Sequence, residues 1–140
     1  MNRTLSSAVL VAVVGLGLSV MASEKPPVPF QDAMKSNGAS TGAMGLRGHV
    51  PAKDYDAIAK DAATLKANYA LIEAFWTQRK VDDAIGFSKA GAKAVADLET
   101  AAKAKDDAGI TAAQMALQAT CGGCHMAHRE RMPDMTFEIK

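Results

Sequence analysis

Aromatic side chains are scarce in this chain: one Trp, two Tyr and four Phe, 5% of 140 residues. With alanine-rich periodic segments in place of aromatic ones, that shortage points to a small all-α protein. An excess of charge of one sign is lacking as well. The 16 Lys and Arg nearly balance the 15 Asp and Glu, whereas a nucleic-acid binder presents a strongly basic surface. No serine and histidine stand at a useful spacing, no glycine-rich loop fits a phosphate, and no pair of carboxylates marks a pocket. Those gaps remove the usual signs of an enzyme. Only two cysteines occur, so whatever thiol chemistry the chain has lies in their spacing.

What is present begins with an export signal. Arg3 gives a positive start, residues 8–20 are apolar, and Val20-Met21-Ala22 offers a cleavage point after Ala22. The apolar run is short for a membrane span, which takes about 20 residues. Residues 1–22 therefore read as a secretory signal peptide, and the expected location is the periplasm with no membrane span after cleavage. Cleavage removes one basic residue and leaves a formally neutral chain of single-domain length. The division expected is a signal over 1–22, an extended lead-in over 23–29, a helical domain over 30–132 and a loose tail over 133–140.

Within that domain, periodicity predicts four helices. The first covers about 30–46 and contains Gly38, Gly42 and Gly45, each lowering helix propensity by about 1 kcal/mol. A turn follows at 48–51. Asp54 is a good N-cap for the second helix, where Ile58, Ala62, Leu65, Tyr69, Ile72 and Trp76 recur three or four apart. This helix ends between Trp76 and Lys80. Asp82 or Asp83 caps the third, whose apolar face is Ile85, Ala92, Val95 and Leu98 with Ala102, bordered by Phe87 and Ala94. A charged connection over 103–109 leads to the fourth helix at about 110–131, which Pro133 ends. Short connections favour antiparallel neighbours, so the fold expected is an antiparallel four-helix bundle.

The fourth helix carries Cys121-Gly122-Gly123-Cys124-His125. Cys-x-x-Cys-His is the signature of covalent c-type haem attachment. Each thiol forms a thioether to a vinyl position of the porphyrin, and the adjacent imidazole ligates the iron. On a helix the three side chains share one face, and the glycines leave room for a flat ring. Three other readings compete. A redox dithiol normally sits at a strand-to-helix junction. Zinc, with His128 as fourth ligand, needs ligands that surround it, which one helical stripe does not provide. A disulfide at this spacing inside a helix constrains little. Haem c, one per chain, is the preferred cofactor, and it would supply core that a small chain lacks.

The helix pattern and the motif, from Ala33-Met34-Lys35 to Cys124-His125-Met126-Ala127-His128-Arg129, resemble the class II cytochromes c, the cytochrome c′ family and its low-spin relatives. The resemblance makes His125 the proximal iron ligand. It also makes Met34 the candidate distal ligand, because Met34-Lys35-Ser36-Asn37-Gly38 resembles the ligating segment of six-coordinate members. Arg129 matches the family arginine near a haem propionate, while His128 stands where an aromatic residue is usual. Taken without the resemblance, a methionine on an apolar helical face is more often core packing than a ligand, and Met44 and His49 are the other distal candidates. The resemblance further implies redox partner proteins of the periplasmic electron-transfer chain and a homodimer contact through the first two helices. The function expected is electron transfer by His/Met-ligated haem. The alternatives are a five-coordinate binder or sensor of nitric oxide or carbon monoxide, and a weakly peroxidase-like enzyme.

Overall fold

A single stripe of side chains decides where the longest helix points. Ile58, Ala62, Leu65, Tyr69, Ile72 and Trp76 are its buried residues, all on one face. Their helix is one of five in a computed structural model that describes residues 23–140; the expected signal over 1–22 lies outside the described residues. In chain order the elements are α1 (Val28–Thr41), α2 (Leu46–Ala52), α3 (Tyr55–Arg79), α4 (Asp82–Ala104), α5 (Asp107–His128), β1 (Arg129–Arg131) and β2 (Phe137–Ile139). Four of the helices, α1, α3, α4 and α5, pack into an all-α bundle, with the short α2 inserted between α1 and α3. No helix among the described residues is long and apolar enough to cross a membrane.

Local chemistry accounts for most of the boundaries. The Asp54 and Asp106 side chains accept the backbone N–H groups of Ala57 and Gly109 at the starts of α3 and α5. At the start of α4 the N-cap is Val81, which has no side-chain cap, so the aspartate cap expected there is replaced by acidic residues in the first turn. The buried stripe of α4 is Ala84, Ser88, Gly91, Ala94, Val95, Leu98, Ala101 and Ala102. The face expected from Ile85 and Ala92 is thus rotated toward smaller residues, which let neighbouring helices approach.

Helices α3 and α5 run parallel in one register. Tyr55 Oη donates to Asp107 (2.9 Å), Tyr69 Oη lies 3.4 Å from Cys121 Sγ, and the Trp76 and His128 rings are 5.1 Å apart. Each pair joins residues 52 positions apart. Helix α1 runs antiparallel to α3: Phe30 packs on Phe75 (4.2 Å) and Trp76 (5.9 Å), and Asn68 Nδ2 donates to Ser36 Oγ and Asn37 Oδ1, both at 2.9 Å. Helix α1 packs along α3 but not along α5, so the bundle has an open seam between its first and last helices.

Three expectations need correction. The first helix stops at Thr41, and the expected turn over 48–51 lies inside α2. Gly42 is extended, and a Cβ on Gly45 would lie 2.1 Å from the Ser40 carbonyl oxygen, so the chain folds back sharply there and starts a new helix. The last helix stops at His128, three residues before the expected end, because Arg129 is extended. The tail is a hairpin: Arg129 pairs with Ile139, Glu130 with Glu138 and Arg131 with Phe137. Ile139 is 6% exposed, packs with Phe30, Ala33, Ile72, Trp76 and Ala84, and exchanges both backbone hydrogen bonds with Glu24 at 2.9 Å. Hairpin and lead-in together close one end of the seam.

Helices α3 and α4 interlock at one glycine. A Cβ on Gly91 would lie 2.1 Å from Tyr69 Cε1, whereas one on Gly86 in the same helix would meet nothing within 4 Å. Gly91→Ala should therefore destabilise by about 1–3 kcal/mol through overpacking, and Gly86→Ala should be neutral or stabilise by up to about 1 kcal/mol. Thermal unfolding of both variants checks this; equal midpoints would mean that Tyr69 is not wedged against α4.

Candidate functional site

Ile110, Ala113 and Leu117 are the buried stripe of α5, and Cys121 extends it by one more turn into the larger apolar cluster. Both cysteines are free and half-buried, within continuous helix. Among the described residues no strand leads into them, since the helix runs unbroken from Asp107, so they lack the strand-to-helix setting of a redox dithiol. The flanks of the motif differ. Phe87 of α4 lies against Gly123, where an added Cβ would come within 2.6 Å of its ring. Gly123 therefore has no free space beside it, contrary to expectation, whereas a Cβ on Gly122 would meet nothing within 4 Å. Gly122 and His125 lie on the side away from Phe87 and line a cleft of about 420 Å³ with Met126, Arg129, Arg131 and Phe137.

Burial sets the protonation of the motif. It pushes the Cys124 thiol up to about 11, helped by electrostatic repulsion from the neighbouring Cys121 and Asp83 side chains. Burial also lowers the His125 pKa, with a smaller contribution from Arg129. At neutral pH the site thus presents a protonated Cys124 and a neutral imidazole, the form in which histidine ligates a metal. The Tyr69 hydroxyl beside Cys121 is raised, first by burial and then by the charge of Cys121.

The distal candidates separate clearly. Met44 is 89% exposed, and His49 Nδ1 is held by Asp61 Oδ2 at 2.8 Å on the far side of the bend after α1. Met34 is half-buried beside the cluster of Phe30, Ile72, Trp76 and Ile139. Through the α1–α3 and α3–α5 registers, Met34 falls at the height of Ile72 and hence of the turn from Gly123 to His125. A Cβ on Gly38, one turn beyond Met34, would meet open space.

His128, which stands where an aromatic residue is usual in the resemblance, is enclosed. Its side chain is 14% exposed, with Nε2 2.9 Å from Asp83 Oδ2 and its ring against Trp76. Trp76 Nε1, buried at this end of the seam, has no hydrogen-bond partner among the described residues. An unpaired buried donor costs about 1–3 kcal/mol. Sequence periodicity placed Trp76 in the core but carried no sign of its unpaired nitrogen. No group of three or more His, Cys, Asp or Glu side chains that could hold a metal ion occurs among the described residues.

Comparison of the chain with protein-family models, curated proteins and solved structures gave no match.

The raised Cys124 pKa makes a reactivity prediction. In the cofactor-free chain at pH 8, iodoacetamide should alkylate Cys124 at least about tenfold more slowly than an unperturbed cysteine. This allows for the greater intrinsic reactivity of a more basic thiolate. Site-resolved peptide mapping measures the rate, and fast alkylation would restore the redox-dithiol reading.

Proposed function

We propose that this chain is an exported monohaem c-type cytochrome of the class II kind, working as an electron carrier. The observation that supports this most strongly is the height match across the seam. Met34 on α1 falls at the height of Cys124 and His125 on α5, and a cleft lies beside His125. In this reading the Cys121 and Cys124 thiols would hold the group by thioethers, and His125 and Met34 would be the side chains that ligate the iron. Haem bound in this way supplies one-electron chemistry between ferric and ferrous iron.

The chain's own residues serve that role in several ways. Burial keeps His125 neutral and available as a ligand. Tyr69, wedged between Gly91 and Cys121, fixes the height of the motif against α3. Phe87 covers the α4 flank at Gly123, which leaves the seam as the open approach. The Arg129 guanidinium offers a donor beside the cleft for an anionic group. Residues 1–22 are read as the export signal, which puts the protein in the periplasm among redox partner proteins.

The second reading is a five-coordinate binder of nitric oxide or carbon monoxide. It draws on the packing of Met34 against Phe30, Ile72, Trp76 and Ile139, because a methionine that only fills the core would leave the distal iron position open.

The variant Met34→Ala decides between them. The carrier reading expects wild-type protein with a six-coordinate low-spin optical spectrum that ignores carbon monoxide. It expects the variant to become five-coordinate, bind carbon monoxide and have a lower potential. A core methionine-to-alanine change costs about 2–5 kcal/mol, so the thioether-anchored fold should persist in circular dichroism. A wild-type protein that is already high-spin and binds carbon monoxide rapidly gives the gas-binding reading first place.

A further inference from the structure

The C-terminal hairpin does more than cap the seam. Its pairing puts Arg129, Arg131, Phe137 and Ile139 on one side of the ladder and the Glu130–Glu138 pair on the other. Ile139 is buried in the bundle, while Arg129, Arg131 and Phe137 line the cleft beside His125. The cleft side of the hairpin thus carries two guanidiniums and no carboxylate. Neither arginine forms an ion pair among the described residues. Arg129 stacks on the Phe137 ring, its Cζ 4.3 Å from the centroid, and Arg131 donates to Met135 Sδ at 3.1 Å, a weak acceptor. Two like charges two residues apart on one strand repel, and an anion between them relieves the repulsion.

The hairpin is also well fixed. Ile139 bonds Glu24 through both backbone groups, the Lys140 N–H donates to the His128 carbonyl at 3.1 Å, and Lys140 Nζ donates to the Met126 carbonyl at 2.9 Å. Met135 takes φ 70 in the turn, where the Thr136 N–H and hydroxyl both donate to Asp134 Oδ1. A cationic face held this firmly is preorganised for a carboxylate ligand.

We infer that the hairpin is a carboxylate clamp, with Arg131 as a positioning residue that holds a haem propionate at the cleft beside His125. The inference rests on the haem reading above and goes beyond Arg129, which the family resemblance already associates with a propionate. Propionates are the carboxylates such a cofactor brings into the seam, and a charge-assisted pair with guanidinium is the strongest hydrogen bond available to them there.

The test uses the haem-loaded protein and compares Arg131→Gln, Arg131→Lys and, on the opposite side of the hairpin, Glu138→Gln. The readouts are the ferrous-to-ferric ratio at a fixed ambient potential and the propionate bending bands in resonance Raman spectra. Arg131→Gln should lower the ratio roughly tenfold, as expected for removing one unit charge near the iron, and should shift the propionate bands. Arg131→Lys should restore most of the ratio, and Glu138→Gln should leave the bands in place. Unaltered circular dichroism and thermal midpoint show that the variants fold. If Arg131→Gln matches wild type in both readouts, or if Glu138→Gln shifts the bands equally, the clamp is overturned while the carrier reading stands. A wild-type chain that carries no haem overturns both.

Discussion

The parallel register between α3 and α5 is the constraint on which the rest of the molecule depends. Tyr55, Tyr69 and Trp76 on one helix meet Asp107, Cys121 and His128 on the other at a single constant offset. Helix α4 packs along both, so neither can slide without opening the core around Leu65, Val95, Leu98 and Leu117. Because α1 packs along α3, the same register also sets the height of Met34 relative to His125. A slip of one turn would shift that height by about 5.4 Å and end the correspondence across the seam.

Much of this was legible in the sequence. The stripe from Ile58 to Trp76 is long and regular, and a helix of that length with an aspartate cap has no competing pattern. Asp54 and the end of α3 near Arg79 follow from it, and the charged connection over 103–109 with Pro133 beyond places Cys121 and His125 on one later helix. What could not be read has physical reasons. On α4 the buried face is set by Ala84, Ser88 and Gly91, where closeness of helices matters more than hydrophobicity, so a pattern of larger apolar residues pointed to one side of it. The break after Thr41 depends on the tight approach of Gly45 to Ser40, a backbone contact with no signature beyond the glycine itself. The hairpin was the largest omission, although Phe137 and Ile139 alternate as a strand would; three-residue strands gain their stability from tertiary burial, here that of Ile139.

The site itself was legible as a list of residues but not as an arrangement. Cys121, Cys124 and His125 are marked by type and spacing and Met34 only by the family resemblance, while the flank on which each faces is set by neighbours. Phe87 occupies one side of Gly123, and the cleft occupies the other side of the helix at Gly122. His128 illustrates the same point: a histidine near the end of a helix looks solvated in sequence, yet Asp83 and Trp76 enclose it. The electrostatics follow from burial, which keeps the Cys124 thiol protonated and His125 neutral.

The open seam, the half-buried thiols and the unpaired Trp76 nitrogen are all features that a covalently held group in the seam would complete. The most direct measurement is the intact mass of the protein purified from its native host, taken after extraction with acidified organic solvent. The account predicts a chain that begins at Ser23 and retains the added mass of one haem, localised by peptide mapping to the segment with Cys121 and Cys124. A bare polypeptide mass, or haem released freely into the solvent, would contradict it.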